Sequence, residues 1–219
     1  MSLSLVAIAA MLPLQTPPPQ PAVGTPRTIS LRVRIRNAEG EVVDAGRATI
    51  TQKLVREGGK SVEVRVETGN VTTIQQAIYD SAGRPMRRYV QMQQDLKPKM
   101  TKIVTFDAKG ANVVIDRSGQ RETKSVPLPG GLTLANPSEF WFIRDTPKVG
   151  ATVKHAYFSD QDEWLAAKSS YRGKAPVPGK NDAAHYVTLE LDERKIGQYF
   201  SDTGLLLAVR DSIGMTMDR

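Results

Sequence analysis

The 219-residue sequence contains no cysteine. That excludes disulfides, a thiolate nucleophile, Cys-ligated zinc and a lipidated N-terminal cysteine, so stability rests on packing alone. Histidine occurs twice, at His155 and His185, in the patterns of neither HxH, HxxxH nor HExxH. The bland assignment, surface or rim histidines, is preferred, and no metal or other cofactor is expected. GxSxG, Walker A, GxGxxG and SxxK patterns are also missing, which removes the usual signatures of hydrolases and nucleotide-binding proteins. The cluster Asp160, Asp162 and Glu163 could serve acid–base or calcium chemistry, but its setting in SDQDE between two strands reads as a solvated turn. The protein is therefore expected not to be an enzyme.

Long apolar runs are absent too. The longest, Leu3–Leu14, is too short to span a bilayer and has the length of a secretory-signal core. Residues 1–16 are read as a signal peptide, 17–26 as a proline-rich tether, and 27–219 as a single antiparallel β-domain in the periplasm or outside the cell. Thirty Lys and Arg against 23 Asp and Glu give a net charge of +7, with the two signs interleaved. The excess would suit an anionic neighbour, but with no block of five like charges the interleaving reads as an ordinary solvated surface. Arg32, Arg34 and Arg36 form the one candidate basic stripe, and an exported protein is not expected to meet nucleic acid.

What the sequence does contain is period-two alternation. Ile29, Leu31, Val33 and Ile35 alternate with Ser30, Arg32, Arg34 and Arg36, which defines a half-buried strand. Val62, Val64 and Val66 alternate with Glu63, Arg65 and Glu67 in the same way, so these two strands are expected to sit side by side and pair their charges. The turns NAEG (Asn37–Gly40), DSAG (Asp80–Gly83), DAKG (Asp107–Gly110) and DRSG (Asp116–Gly119) repeat one hairpin chemistry: an Asx side chain accepts from the backbone, and a glycine takes the positive φ. About a dozen strands follow. The expected fold is mainly β: a large curved antiparallel sheet, a half-barrel or incomplete barrel, with one short helix in or over the concave face. A closed barrel or two-sheet sandwich is the rival.

The rhythm changes at Asn136–Phe158, NPSEFWFIRDTPKVGATVKHAYF. A helix is expected over Pro137–Asp145, stopped at Thr146-Pro147, and Phe140, Trp141 and Phe142 cannot all face one way because successive residues turn by about 100°. With Tyr79, Tyr89, Phe106 and Tyr157 they form the expected lining of an apolar ligand site, to which Met86 and Met92 would add. Core packing is the competing use.

This run, with the later DTGLLLAVRD strand and the YDSAGRP turn at Tyr79, resembles uncharacterised bacterial envelope β-domains similar to the LolA and LolB lipoprotein carriers. The resemblance implies export and a sheet wrapped around a short helix, with lipid chains bound in the concavity. It transfers no binding or catalytic residue. The function expected is a non-enzymatic module for an apolar or amphiphilic envelope ligand such as a lipid. The alternative is a structural or interaction domain that engages an envelope protein or anionic polymer through a sheet edge or the basic strand face.

Overall fold

The structure, a computed structural model, describes residues 25–55, 58–134, 141–143, 145–192, 194–212 and 214–218. The expected signal peptide, most of the tether and Phe140 lie outside the described residues, as does the first part of the expected helix. No helix among the described residues is long and apolar enough to cross a membrane.

Among the described residues, fourteen strands form one antiparallel sheet. The first eight are β1 (Arg27–Arg36), β2 (Val42–Leu54), β3 (Lys60–Thr68), β4 (Val71–Tyr79), β5 (Pro85–Gln94), β6 (Lys97–Asp107), β7 (Gly110–Arg117) and β8 (Gln120–Pro127). After a helical turn at residues 141–143 come β9 (Thr152–Phe158), β10 (Trp164–Pro176), β11 (Ala183–Leu191), β12 (Arg194–Phe200), β13 (Leu206–Asp211) and β14 (Thr216–Asp218). Each run of strands is a simple meander, and the two meanders are joined where the first strand pairs with the last, Val33 opposite Met217. The edges of the sheet, β8 and β9, are not paired with each other. The sheet is thus curved and incompletely closed, as the alternation predicts.

All four Asx turns form as expected. Asn37, Asp80, Asp107 and Asp116 each accept backbone N–H groups through Oδ1, and Gly40, Gly83, Gly110 and Gly119 take positive φ. The expected pairing of the first strand with the valine strand does not occur, because β2 lies between them. Arg34 pairs instead with Asp218 of β14, Arg36 donates to the Gly40 carbonyl, and Arg32 stands opposite Arg47.

Two relationships curl the sheet. The inner faces of β1 and β2 bury Ile29, Leu31, Val33, Ala48 and Ile50. At the other end the β9–β10 hairpin tucks inside the arc of β5–β8, so that Phe158 and Trp164 meet the inner face of β6 and β7. Phe106 lies edge-on to Phe158, with ring centroids 5.6 Å apart, and 6.0 Å from the Trp164 ring. Trp164 donates its indole N–H to the Val126 carbonyl of β8 at 3.2 Å. Burial of these rings drives the overlap, and the hydrogen bond satisfies the one polar atom of Trp164. Edge strand β8 is mostly exposed and carries Arg121, Glu122 and Lys124, charges that discourage pairing with a further strand.

Candidate ligand groove

Alternation along the strands assigns every side chain to the inner or the outer face, and the registers carry the assignment across the sheet. Val62 and Val64 of β3 face inward beside Ile50 and Gln52 of β2, then Gln75 and Ala77 of β4, then Arg88 and Val90 of β5. Val62, Val64 and Ala77 are only half-buried. They form the floor of a groove whose opposite wall comes from the second meander.

Space exists on both sides of the two valines. Toward β12 and β13 a cavity of about 60 Å³ is lined by Ile50, Val62, Val64, Gln198, Phe200 and Leu206, among others. Gln198 Oε1 is buried there without a hydrogen-bond partner among the described residues. Toward β9 a second cavity of about 140 Å³ is lined by Val62, Val64 and Ala77 together with the polar Gln75, Gln76, Tyr79, Arg88, Tyr157 and Asp160. Its size approaches the roughly 150 Å³ of an apolar cavity that admits benzene. A third space of about 20 Å³, room for one water, lies behind it between Tyr79, Phe106, Tyr157 and Trp164.

The expected site residues divide between these regions. Tyr79 and Tyr157 line the larger cavity, and Phe106 reaches the small one behind it. Tyr89 sits on the outer face opposite Ile103, where burial raises its phenol pKa against a hydrogen bond from Thr101. Met86 and Met92 are exposed. Trp141 and Phe142 are buried in a separate cluster with Tyr171, Val187 and Phe200. Phe142 stacks parallel to Tyr171 at 6.3 Å and lies 5.1 Å from both His185 and Phe200. The helical turn therefore plugs β10–β12, and the described groove lies beside it rather than beneath it.

The histidines depart from the surface assignment. His155 is fully buried on β9, its Nδ1 donating to the Ala156 carbonyl at 3.2 Å and its Nε2 accepting from Ser169 at 3.1 Å. Small residues around it make burial possible, and these hydrogen bonds satisfy the ring. His185 links Tyr171, whose hydroxyl donates to Nδ1 at 3.0 Å, with Asp202 at 3.0 Å from Nε2. Asp202 is 72% exposed and also held by Lys174 at 2.8 Å, whose hydrogen bond keeps its carboxyl below the usual range. This chain orients the ring that Phe142 packs against.

The expected solvated turn forms, with Asp160 and Glu163 exposed, but Asp162 departs from it. Asp162 is buried, and Lys102 Nζ reaches it at 2.8 Å while also donating to the Asp160 carbonyl at 2.7 Å. Lys102 was legible in principle: it shares the inward face of β6 with Val104 and Phe106, and a lysine on an apolar face needs a carboxylate. Arg88, the other inward cation of this region, was missed for the same reason.

The fold defines an open, β-barrel-like domain. Among solved structures it is similar to the β-barrel-like protein of the domain-of-unknown-function family DUF1849 from Brucella abortus, with a TM-score of 0.58 and 14% identity over 90% of this chain and 95% of that one. A DUF1089-family protein from Pseudomonas aeruginosa aligns at a TM-score of 0.40 and 10% identity over 88% of this chain and 93% of that one, too distant a superposition to add to the fold. No protein-family model matches the sequence, and no curated protein does.

Proposed function

We propose that this chain is an exported, non-enzymatic binding module for an apolar or amphiphilic ligand of the cell envelope, held in the groove over β3 and β4. One observation carries the reading: Val62 and Val64 face inward yet stay half-buried, with cavities of about 60 and 140 Å³ on either side of them. Inward valines of a filled sheet would be buried like Val113 or Val187, both 0% exposed. The groove mixes Val62, Val64 and Ala77 with polar side chains, Gln52 and Gln198 toward β12 and Gln75, Gln76, Arg88 and Asp160 toward β9, a division that suits an amphiphile. Export rests on the Leu3–Leu14 segment, and the lipid class of the ligand on the sequence resemblance of the Asn136–Phe158 run, which no comparison with known proteins extends. Filling the groove with Val64→Trp should abolish binding of 1-octanol, followed by calorimetry, while the protein stays folded. Undiminished binding would overturn the location.

A second reading is favoured by the outer face. Arg32 and Arg47 stand directly opposite each other, both exposed and without an ion-pair partner among the described residues. Like charges so placed repel, an effect that Asp218 opposite Arg32 and Glu67 opposite Arg47 reduce from the sides and that an anion seated between the two arginines would reduce further. An interaction domain would use this pair to hold an anionic polymer, and replacing both with serine should then abolish its retention on heparin at moderate salt. Unchanged retention would remove this reading.

A further inference from the structure

We infer that the ligand of this groove carries an anionic head, a carboxylate in its simplest form, seated on Arg88. The inference rests on the groove reading above and concerns the chemistry of one end of it. Arg88 projects from β5 into the larger cavity, with its side chain only 18% exposed. One of its N–H groups, Nη1, donates to the Phe158 carbonyl at 2.9 Å, and its guanidinium carbon lies 5.9 Å from the centre of the Tyr157 ring. These contacts fix the direction of the fork without neutralising its charge.

Neutralisation separates Arg88 from its neighbour. Lys102 is matched by a buried carboxylate at 2.8 Å, and its Nζ also donates to a backbone carbonyl. Arg88 has Asp160 at 3.8 Å, on a side chain that is 71% exposed. A pair that long and that wet is weak, whereas a half-buried guanidinium gains most from a carboxylate bound through two parallel N–H donors. Asp160 is held in place by its main chain, whose carbonyl accepts from Lys102, so its carboxylate can swing into water without disturbing the turn. Arg194 lies close enough to Asp160 and Tyr157 for its charge to be felt there. An incoming acid therefore meets a cation whose present counter-charge is replaceable, at the end of a groove floored by Val62, Val64, Gln75 and Ala77. The class of ligand is an alkyl carboxylate or an acyl group with a comparable anionic head.

The test compares octanoate with 1-octanol on the full chain by calorimetry. Octanoate should bind about tenfold or more tightly than the alcohol, and Arg88→Met should remove that advantage so that the two probes bind alike. Asp160→Asn, at an exposed position that folding does not need, should tighten octanoate about threefold by removing the competing carboxylate. Equal affinity for the two probes in the unmodified protein overturns the anionic head but keeps the groove. No binding of either probe overturns the groove and the head together. If Arg88→Met does not fold, octanoate affinity unaltered by Asp160→Asn counts against the inference.

Discussion

Lys102 and Asp162 meet at 2.8 Å with side chains 9% and 11% exposed, joining the inner face of β6 to the tip of the β9–β10 hairpin. This pair fastens the overlap that makes the sheet a scroll. Asp162 also has φ of +63°, a conformation that aspartate and asparagine tolerate better than most residues. Lys102→Met should lower stability by about 3–5 kcal/mol in urea denaturation, because it strands a buried carboxylate. Adding Asp162→Asn should recover most of that loss. A double variant as unstable as the single one would show that the lysine acts through packing.

The aromatic plug predicts a cost of a different kind. Phe142 is 2% exposed and lies against Tyr171, His185 and Phe200. Phe142→Ala should destabilise by about 3–5 kcal/mol, the usual range for emptying a ring-sized site. Because Phe142 supports Phe200, which lines the smaller cavity, 1-octanol binding should weaken through that wall, whereas the contacts of Tyr79 and Tyr157 in the larger cavity should persist.

Gly46 marks the irregularity in the β1–β2 register beside Val33 and Arg34, with φ of +145°. A Cβ there would fall 1.9 Å from the Glu67 carbonyl oxygen, which is backbone and cannot yield cheaply. Gly46→Ala should therefore cost at least about 2 kcal/mol, measured by thermal unfolding.

Asp80 supplies a pH test in the hairpin before β5. Burial pushes its carboxyl up, but hydrogen bonds from the backbone and side chain of Arg84 and from the Ala82 N–H outweigh it, so the folded pKa lies below the ordinary value. A carboxylate with a depressed folded pKa contributes stability that is present above its unfolded pKa, near 4, and lost as pH falls through the folded value. The stability gap between the unmodified protein and Asp80→Asn should be constant above about pH 5 and shrink on acidification below about pH 4. A gap that widens in acid would reverse the assignment.

Much of this fold was legible because strands and turns are written locally. Alternation set the first strand, Asx–Gly spacing set the hairpins, and the change of rhythm at Asn136–Phe158 marked the passage between the two meanders. The last strand, Thr216–Asp218, escaped because three residues carry no period, and its pairing with the first strand is a contact across the whole chain. The overlap of β9–β10 within β5–β8 was illegible for a related reason: both faces of that hairpin are apolar, Phe158 and Trp164 on one and His155 and Tyr157 on the other, so periodicity cannot say which faces the lumen. The residues expected to line a site divide between two regions of the interior. Tyr79, Phe106 and Tyr157 do gather on one side of the interior, whereas Trp141 and Phe142 pack apart from them, and the charged residues of the groove region stayed hidden because arginine and lysine on strands look like surface.

The account depends most on where an apolar ligand lodges, and methyl NMR resolves that residue by residue. On titration with 1-octanol, the methyl signals of Val62, Val64 and Ala77 should shift in a saturable way, while those of Val187, packed against Phe142, stay fixed. Shifts centred on Val187, or none at the three groove residues, would contradict it.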